Sequence, residues 1–309
     1  MKKTSKTVVF FGSGPVAAKS LSLLLEHTDV EAVITKPRPS HHKEEPPVLE
    51  IAKKHNLPHH TPKNKKELTA LFTSVQFSSP AGLVIDYGII IEKAVIDYFP
   101  MGIVNSHFSL LPQWRGPDPI TFAILSGQPT TGISLMCIDE ELDEGPLIGQ
   151  APLEIPKNIN GPELTEKLIQ LSDAALGALL KDYVQGRIEP IPQEVATIAP
   201  TTIPSYSRMI KKSDGIIDWQ KPAEQIEREV RAFIEWPKSS TSIANKDVVI
   251  TKTEVVNQSG VPGKTSIQNK HELIIYCGKK ALRILQLKPA GKKEMSAEAF
   301  LAGHKNQLD

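Results

Sequence analysis

The first half of the chain alternates short apolar runs with segments of helical period, and this rhythm leaves few folds open to it. Residues 8–11 (VVFF), 32–35, 83–86 and 103–105 are too short for stable helices and too apolar for loops. They read as buried strands of a largely parallel sheet. Between the first two, residues 15–26 repeat Val16, Ala17, Ser20, Leu21 and Leu24 at helical spacing, behind a proline suited to the first helical position. Residues 47–55 and 92–99 supply further helices. The pattern predicts an open α/β sheet, whose ligands sit at the carboxyl ends of its strands.

Two more strands follow at 133–138 and 147–155, separated by an acidic, glycine-containing turn. Residues 162–184 form the clearest helix: Leu164, Leu168, Leu171, Ala175, Leu179 and Tyr183 make one stripe, and Gly186 can end it. Then the character changes. Residues 188–204 carry Pro190, Pro192, Pro200 and Pro204 without periodicity, which is a linker signature. Beyond it come one amphipathic helix (222–234) and alternating runs at 248–256, 273–277 and 282–287, the spacing of a small β-barrel or sandwich. The boundaries that follow are 1–187, a linker over 188–203, and 204–309. At about 150 residues per domain, a chain of 309 residues has room for two.

Composition excludes other classes. With 40% hydrophobic and 23% charged residues the chain is neither disordered nor collagenous. No run approaches the roughly 18 apolar residues of a membrane span. The N-terminal segment is basic but apolar only over 8–11, so it reads as a strand start and not as a secretory signal. Cys137 and Cys277 sit far apart in strand-like runs and read as packed thiols of a reducing cytoplasm. The net charge of +1 conceals an asymmetry: residues 204–309 hold 18 Lys/Arg and 12 Asp/Glu, hence +6, leaving −5 for the rest. A basic C-terminal part suits a large anion such as a nucleic acid, or is simply a solvated surface.

Several motifs are incomplete. Gly12-Ser13-Gly14 opens a helix after a strand, but the acid of a dinucleotide fingerprint is missing where Thr35-Lys36 stands. Pro262-Gly263-Lys264-Thr265 lacks the first glycine of a phosphate loop, and His271-Glu272 has no partner histidine at Ile275. The histidines at 41, 42, 55, 59 and 60 have no ligand spacing, so no metal is expected.

Chemistry concentrates in residues 103–119, IVNSHFSLLPQWRGPDP. Asn105 and His107 point to one side of a strand, because strands have period two. Asp143, in the turn after the strand at 133–138, approaches His107 if adjacent strands carry the two pieces. Such a trio suits acyl transfer to an amine. The Asn105 amide donates to an oxygen gaining negative charge, the imidazole moves a proton, and the carboxylate orients it. No serine or cysteine has the setting of an activated nucleophile, so direct transfer is favoured over a covalent intermediate. Each residue also has a plain reading as a polar group at a strand end.

The ordered set NxH, SLLP, WRG and LDxG resembles the formyltransferases that use 10-formyltetrahydrofolate, most of all the family acting on methionyl initiator tRNA. Arg231-Ala232-Phe233 with Trp236-Pro237, Ile217-Asp218-Trp219 and the run 287–295 (LKPAGKKEM) are similar to that family's C-terminal motifs. The resemblance implies a Rossmann-like folate-binding domain, an OB-like β-barrel, and formyl transfer to the methionyl α-amine. It implies Asn105, His107 and Asp143 as the catalytic trio. It also implies folate contacts from Ser109, Leu110, Leu111 and Pro112, from the loop Tyr87, Gly88, Ile89 and Ile90, and from Ile138 and Asp139. tRNA phosphates would meet Arg38, Lys43, Lys292 and Lys293. A cytoplasmic monomer, away from membranes, completes the expectation.

The chain departs from the family at Asp86, usually alanine, at Phe108, usually glycine, and at residues 36–49. There a longer basic loop is replaced by one rich in proline and histidine, with Glu44 and Glu45 beside its few cations. Two alternatives stand beside this reading: a sister formyltransferase acting on a nucleotide-sugar amine, and a non-catalytic nucleic-acid-binding protein on the same scaffold.

Overall fold

In the computed structural model, which describes residues 7–38, 44–269 and 271–304, the apolar runs of the first half pair into one seven-stranded sheet. Its strands are β1 (Thr7–Phe11), β2 (Asp29–Ile34), β3 (His59–His60), β4 (Ala81–Val84), β5 (Ile103–His107), β6 (Thr130–Cys137) and β7 (Leu147–Glu154). Their spatial order is β3-β2-β1-β4-β5-β6-β7. The first five are parallel, while β6 and β7 are each antiparallel to the preceding strand. The order reverses at β1, the kind of switch point beside which open α/β sheets bind ligands.

The helices of this stretch are α1 (Pro15–Leu24), α2 (Pro47–Lys54), α3 (Lys65–Ser74), α4 (Lys93–Ile96), α5 (Pro119–Ser126), α6 (Gly161–Val184) and α7 (Gln193–Ala196). The helix expected over 92–99 shortens to α4, because Pro100 disfavours helical geometry in the residue before it. Two helices had no clear sequence signal. α3 buries only Leu68 and Phe72 and is started by the Asn64 side chain, which accepts from the amides of Lys66 and Glu67. α5 is apolar nearly all round, so it shows no stripe.

The chain divides into two compact units: residues 1–119, 130–154 and 165–207, and residues 120–129, 155–164 and 208–309. In the first, Phe11 stacks on Phe72 and meets Tyr87 and Phe99 edge-on, forming an aromatic core on one face of the sheet. The proline-bearing segment after α6 belongs to this unit. It carries α7, and Ile191 exchanges both backbone hydrogen bonds with Leu147.

The second unit contains α8 (Ala223–Ala232), then β8 (Ser239–Ile243), β9 (Lys246–Val256), β10 (Thr265–Gln268), β11 (Glu272–Tyr276), β12 (Ala281–Pro289), β13 (Met295–Ser296) and α9 (Ala297–His304). The strands form an antiparallel sheet ordered β10-β11-β12-β9-β8, with β13 also on β12. Ile226 and Val230 of α8 and Phe300 of α9 join Ile250, Leu273 and Leu282 in its core. Arg208 grips Asp214 through bonds of 2.7 and 3.0 Å and holds its carboxyl down at about 2. A depressed folded-state pKa contributes stability above the unfolded value of about 3.9 and loses it as pH falls toward the folded value. Asp214→Asn should therefore cost about 0.2–1 kcal/mol at neutral pH, a surface-pair magnitude. Urea titrations should show this difference shrinking as pH falls below about 4.

Candidate functional site

Strand β5 presents Asn105 and His107 at its carboxyl end, separated by Ser106, whose hydroxyl pairs with Ser172 on the other face. β6 lies antiparallel beside it, with Asn105 opposite Met136. The loop after β6 doubles back and brings Asp143 to both residues. The Asn105 Nδ2 donates to Asp143 Oδ1 at 3.4 Å, and His107 Nδ1 lies 3.8 Å from Asp143 Oδ2. The side chains of His107 and Asp143 are 7% and 12% exposed, so the pair sits almost out of water. The sequence pattern thus places three polar groups in one notch.

Each member is oriented by backbone. His107 Nε2 lies 3.0 Å from the Trp114 carbonyl, an acceptor, so this nitrogen carries the proton and Nδ1 faces the carboxylate. Gly116 N–H donates to Asp143 Oδ2 at 2.8 Å. Asp143 itself adopts a left-handed φ of +54°, and Trp114 one of +57°. Such conformations cost energy in non-glycine residues and persist only where surroundings enforce them. Here the enforcement comes from Gln193, whose Nε2 donates to the carbonyls of Asp143 and Gly145, both at 2.9 Å. Arg115 Nη2 donates to Gln193 Oε1 at 2.9 Å, and Arg115 Nη1 pairs with Glu144 at 2.8 Å. Gly145 must be glycine: a Cβ there would stand 1.8 Å from the Cys137 carbonyl oxygen.

The surrounding loops divide into buried supports and exposed walls. Ser109, Leu110, Leu111 and Pro112 are all buried. The Ser109 hydroxyl donates to the Gln113 carbonyl, and Ser134 Oγ bridges the Ser109 carbonyl and the Leu111 amide. This segment shapes the notch from beneath. Tyr87 likewise turns its ring into the aromatic core, and burial raises its hydroxyl far above the ordinary range. Gly88 and Ile90 of the same loop are exposed, with Ile89 half-buried. Across the notch Ile138 is half-buried and Asp139 exposed. Ile90, in the loop after β4, and Leu142, next to Asp143 in sequence, are large apolar side chains 76% and 67% exposed.

Comparison with known proteins bears on this arrangement. The formyl transferase family model matches residues 5–179, and the model for the formyl transferase C-terminal domain matches residues 209–305. A methionyl-tRNA formyltransferase of Chloroflexus aurantiacus is 34% identical over 304 residues, covering 96% of both chains. One from Pelobacter propionicus is 33% identical over 306 residues, covering 97% of this chain and 94% of that protein. The chain belongs to the methionyl-tRNA formyltransferase family. Among solved structures, the N-formyltransferase of Helicobacter canadensis, in complex with folinic acid and dTDP-3-aminofucose, superposes with a TM-score of 0.66. That match covers 91% of this chain and 99% of the other at 19% identity, a likeness of fold.

Three places singled out in the sequence are Asp86, Phe108 and residues 36–49. Asp86 follows β4 with φ +48°, its carboxylate so close to Gly14 that a Cβ there would meet Oδ2 at 2.3 Å. Desolvation raises the Asp86 pKa; Lys36 opposes the rise and Asp118 adds to it. Phe108 is buried just past the end of β5. Within residues 36–49, Arg38 is exposed beyond β2, Glu45 is tied to Lys53 at 2.5 Å, and Lys43 lies outside the described residues. In the second unit Lys292 and Lys293 are exposed in the turn after β12, where Gly291 takes a φ of +72°.

Sequence reasoning missed Gln193, Trp114 and Gly116 as parts of the site. Trp114 and Gly116 act through main-chain groups, which their side chains do not advertise. Gln193 stands in a proline-bearing segment without periodicity, where no local pattern marks a polar residue as buried.

Proposed function

We propose that this chain transfers the formyl group of 10-formyltetrahydrofolate directly to the α-amine of methionyl initiator tRNA. The observation that carries the reading is the convergence of Asn105, His107 and Asp143 in a nearly dry notch, within a chain of this family. Exposed Ile90, in the loop after β4, and Leu142, next to Asp143, are apolar side chains of the kind that wall a flat, partly apolar ring such as a pterin. Polar backbone near Gly88 and Asp139 would pair with the ring's edge.

The amine nitrogen attacks the formyl carbon, the bond from that carbon to the folate nitrogen breaks, and the amine's proton passes to the departing nitrogen. Asn105 Nδ2 donates to the formyl oxygen as it gains charge, a stabilisation worth most in a site that excludes water. His107 is held by Trp114 with Nδ1 toward Asp143, so imidazole and carboxylate together accept and return the proton. Asp143 is fixed on its other side by the Gly116 amide, which limits how far the pair can drift.

The basic second unit is read as the tRNA-binding part, an OB-like domain, with 204–309 as its extent and Arg38 and Lys43 as lesser contacts. The enzyme is placed in the cytoplasm as a monomer; its two cysteines are free thiols, as reducing surroundings require. Reversing Lys292 and Lys293 to Glu should raise the apparent KM for tRNA and flatten its salt dependence, because each cation neutralising a phosphate contributes to the slope. Folate affinity should stay within about twofold, since neither lysine lies near the notch-bearing loops in sequence. Formylation kinetics across a salt series check this, and an unchanged KM and slope would remove the two lysines from the interface. The function itself is tested by supplying the folate donor with charged initiator tRNA, free methionine or a nucleotide-linked amino sugar, and weighing the products.

A further inference from the structure

Gln193 is 2% exposed and Arg115 7%, and both belong to the first unit. Neither touches Asn105 or His107 through its side chain. Their bonds run in series: Glu144 to Arg115, Arg115 to Gln193, and Gln193 to the two carbonyls that bracket residue 144. The residue whose carbonyl takes one of those bonds is Asp143, held in a left-handed conformation.

We infer that Gln193, locked by Arg115, is a positioning residue for the transfer: its amide pins the loop 143–145 so that the Asp143 carboxylate stays aimed at Asn105 and His107. The inference rests on the proposed formyl transfer and adds to it a residue outside the trio. A side-chain amide that donates both hydrogens to the carbonyls on either side of one residue ties that turn together. A buried guanidinium with its Nε lacking a partner among the described residues is costly. It makes sense where it holds the Gln193 amide the right way round, since an Asn or Gln amide left alone can present either end. The segment from 193 to 207 adds support at the same place: Ser205 Oγ accepts from Trp114 N–H at 3.0 Å, and Ser207 N–H donates to the Arg115 carbonyl at 2.7 Å. The strand end carrying His107 and the loop carrying Asp143 are therefore both referenced to one stretch of chain, which has no periodicity of its own.

A misplacement of about 1 Å in a reacting constellation costs on the order of 100-fold, which bounds the expected effect. Gln193→Met keeps the volume and removes both donors, so kcat should fall about 10- to 50-fold while both KM values change less than about threefold. Gln193→Glu gives a second reading. Its carboxylate stays ionised against the Arg115 guanidinium, so it keeps that lock but offers no donor to the Asp143 and Gly145 carbonyls, and kcat should fall at least as far as in the methionine variant at nearly constant KM. A residue with a merely structural part would alter the melting midpoint without this split between kcat and KM. If the methionine variant does not fold, Glu144→Gln, at an exposed position, loosens Arg115 from outside and should lower kcat severalfold at constant KM. Val195→Ala, on the exposed side of α7, serves as the unchanged control.

Parental kcat in folded Gln193→Met or in folded Gln193→Glu would overturn the inference while leaving the transfer reaction intact. Failure of the parent enzyme to formylate charged tRNA would instead remove the reading on which it rests.

Discussion

His107→Ala and Asp143→Ala should each lower formyl transfer by about two to four orders of magnitude, the range for a positioned acid–base group. The geometry explains why the two losses should be similar and far from additive. On the proposed mechanism His107 moves the amine's proton as one of a pair with Asp143, 3.8 Å away, and residues that act as a unit are lost together. The double variant should thus be little worse than either single one. Asn105→Ala removes the oxyanion donor instead, an interaction worth about 10²–10³ in rate. Circular dichroism should show all of these variants folded, because the sheet register does not depend on their side chains. Steady-state rates with saturating donor check the claim; near-parental turnover in a folded His107 or Asp143 variant would remove the trio.

The second large effect concerns a residue without a side chain. Gly145→Ala should reduce turnover at least 100-fold, comparable to the loss of a reacting group, by displacing the loop that carries Asp143. A Cβ at this position meets the Cys137 carbonyl oxygen at 1.8 Å, a clash with backbone of β6 that no rotamer relieves. Gly186 is the comparison: a Cβ there meets nothing within 4 Å, though its φ of +69° still disfavours alanine. Gly186→Ala should cost some stability and leave turnover intact. Measuring melting and turnover of both variants separates backbone strain in general from strain at the notch. Equal turnover of the two would show that the loop position does not matter.

How much of this was legible in the sequence follows from what each signal reports. Strands β1 and β4 were plain because they are buried on both faces and leave apolar runs, while β5 begins on Ile103 and Val104 before its polar end. Period two put Asn105 and His107 on one side, and a strand neighbour was enough to bring Asp143 within reach. Side-chain direction was harder. Tyr87 and Leu111 belong to segments expected to face the folate, yet the ring of one joins Phe11 and the side chain of the other is fully buried. A motif marks a stretch of chain as belonging to a site without saying which of its members line the site and which hold it up. Prolines at 190, 192 and 200 read as a linker because proline removes periodicity. Lack of periodicity does not mean lack of packing, as the burial of Gln193 shows.

The central claim is that the chain formylates the methionyl end of an initiator tRNA using 10-formyltetrahydrofolate. The most direct measurement is one incubation of the enzyme and this donor with charged initiator tRNA, free methionine and a nucleotide-linked amino sugar together. Mass analysis of each recovered acceptor follows. The account predicts N-formylmethionine released from the tRNA fraction alone, and its absence when the Asp143→Ala enzyme is used. Formyl groups on the amino sugar with none on the tRNA would contradict it.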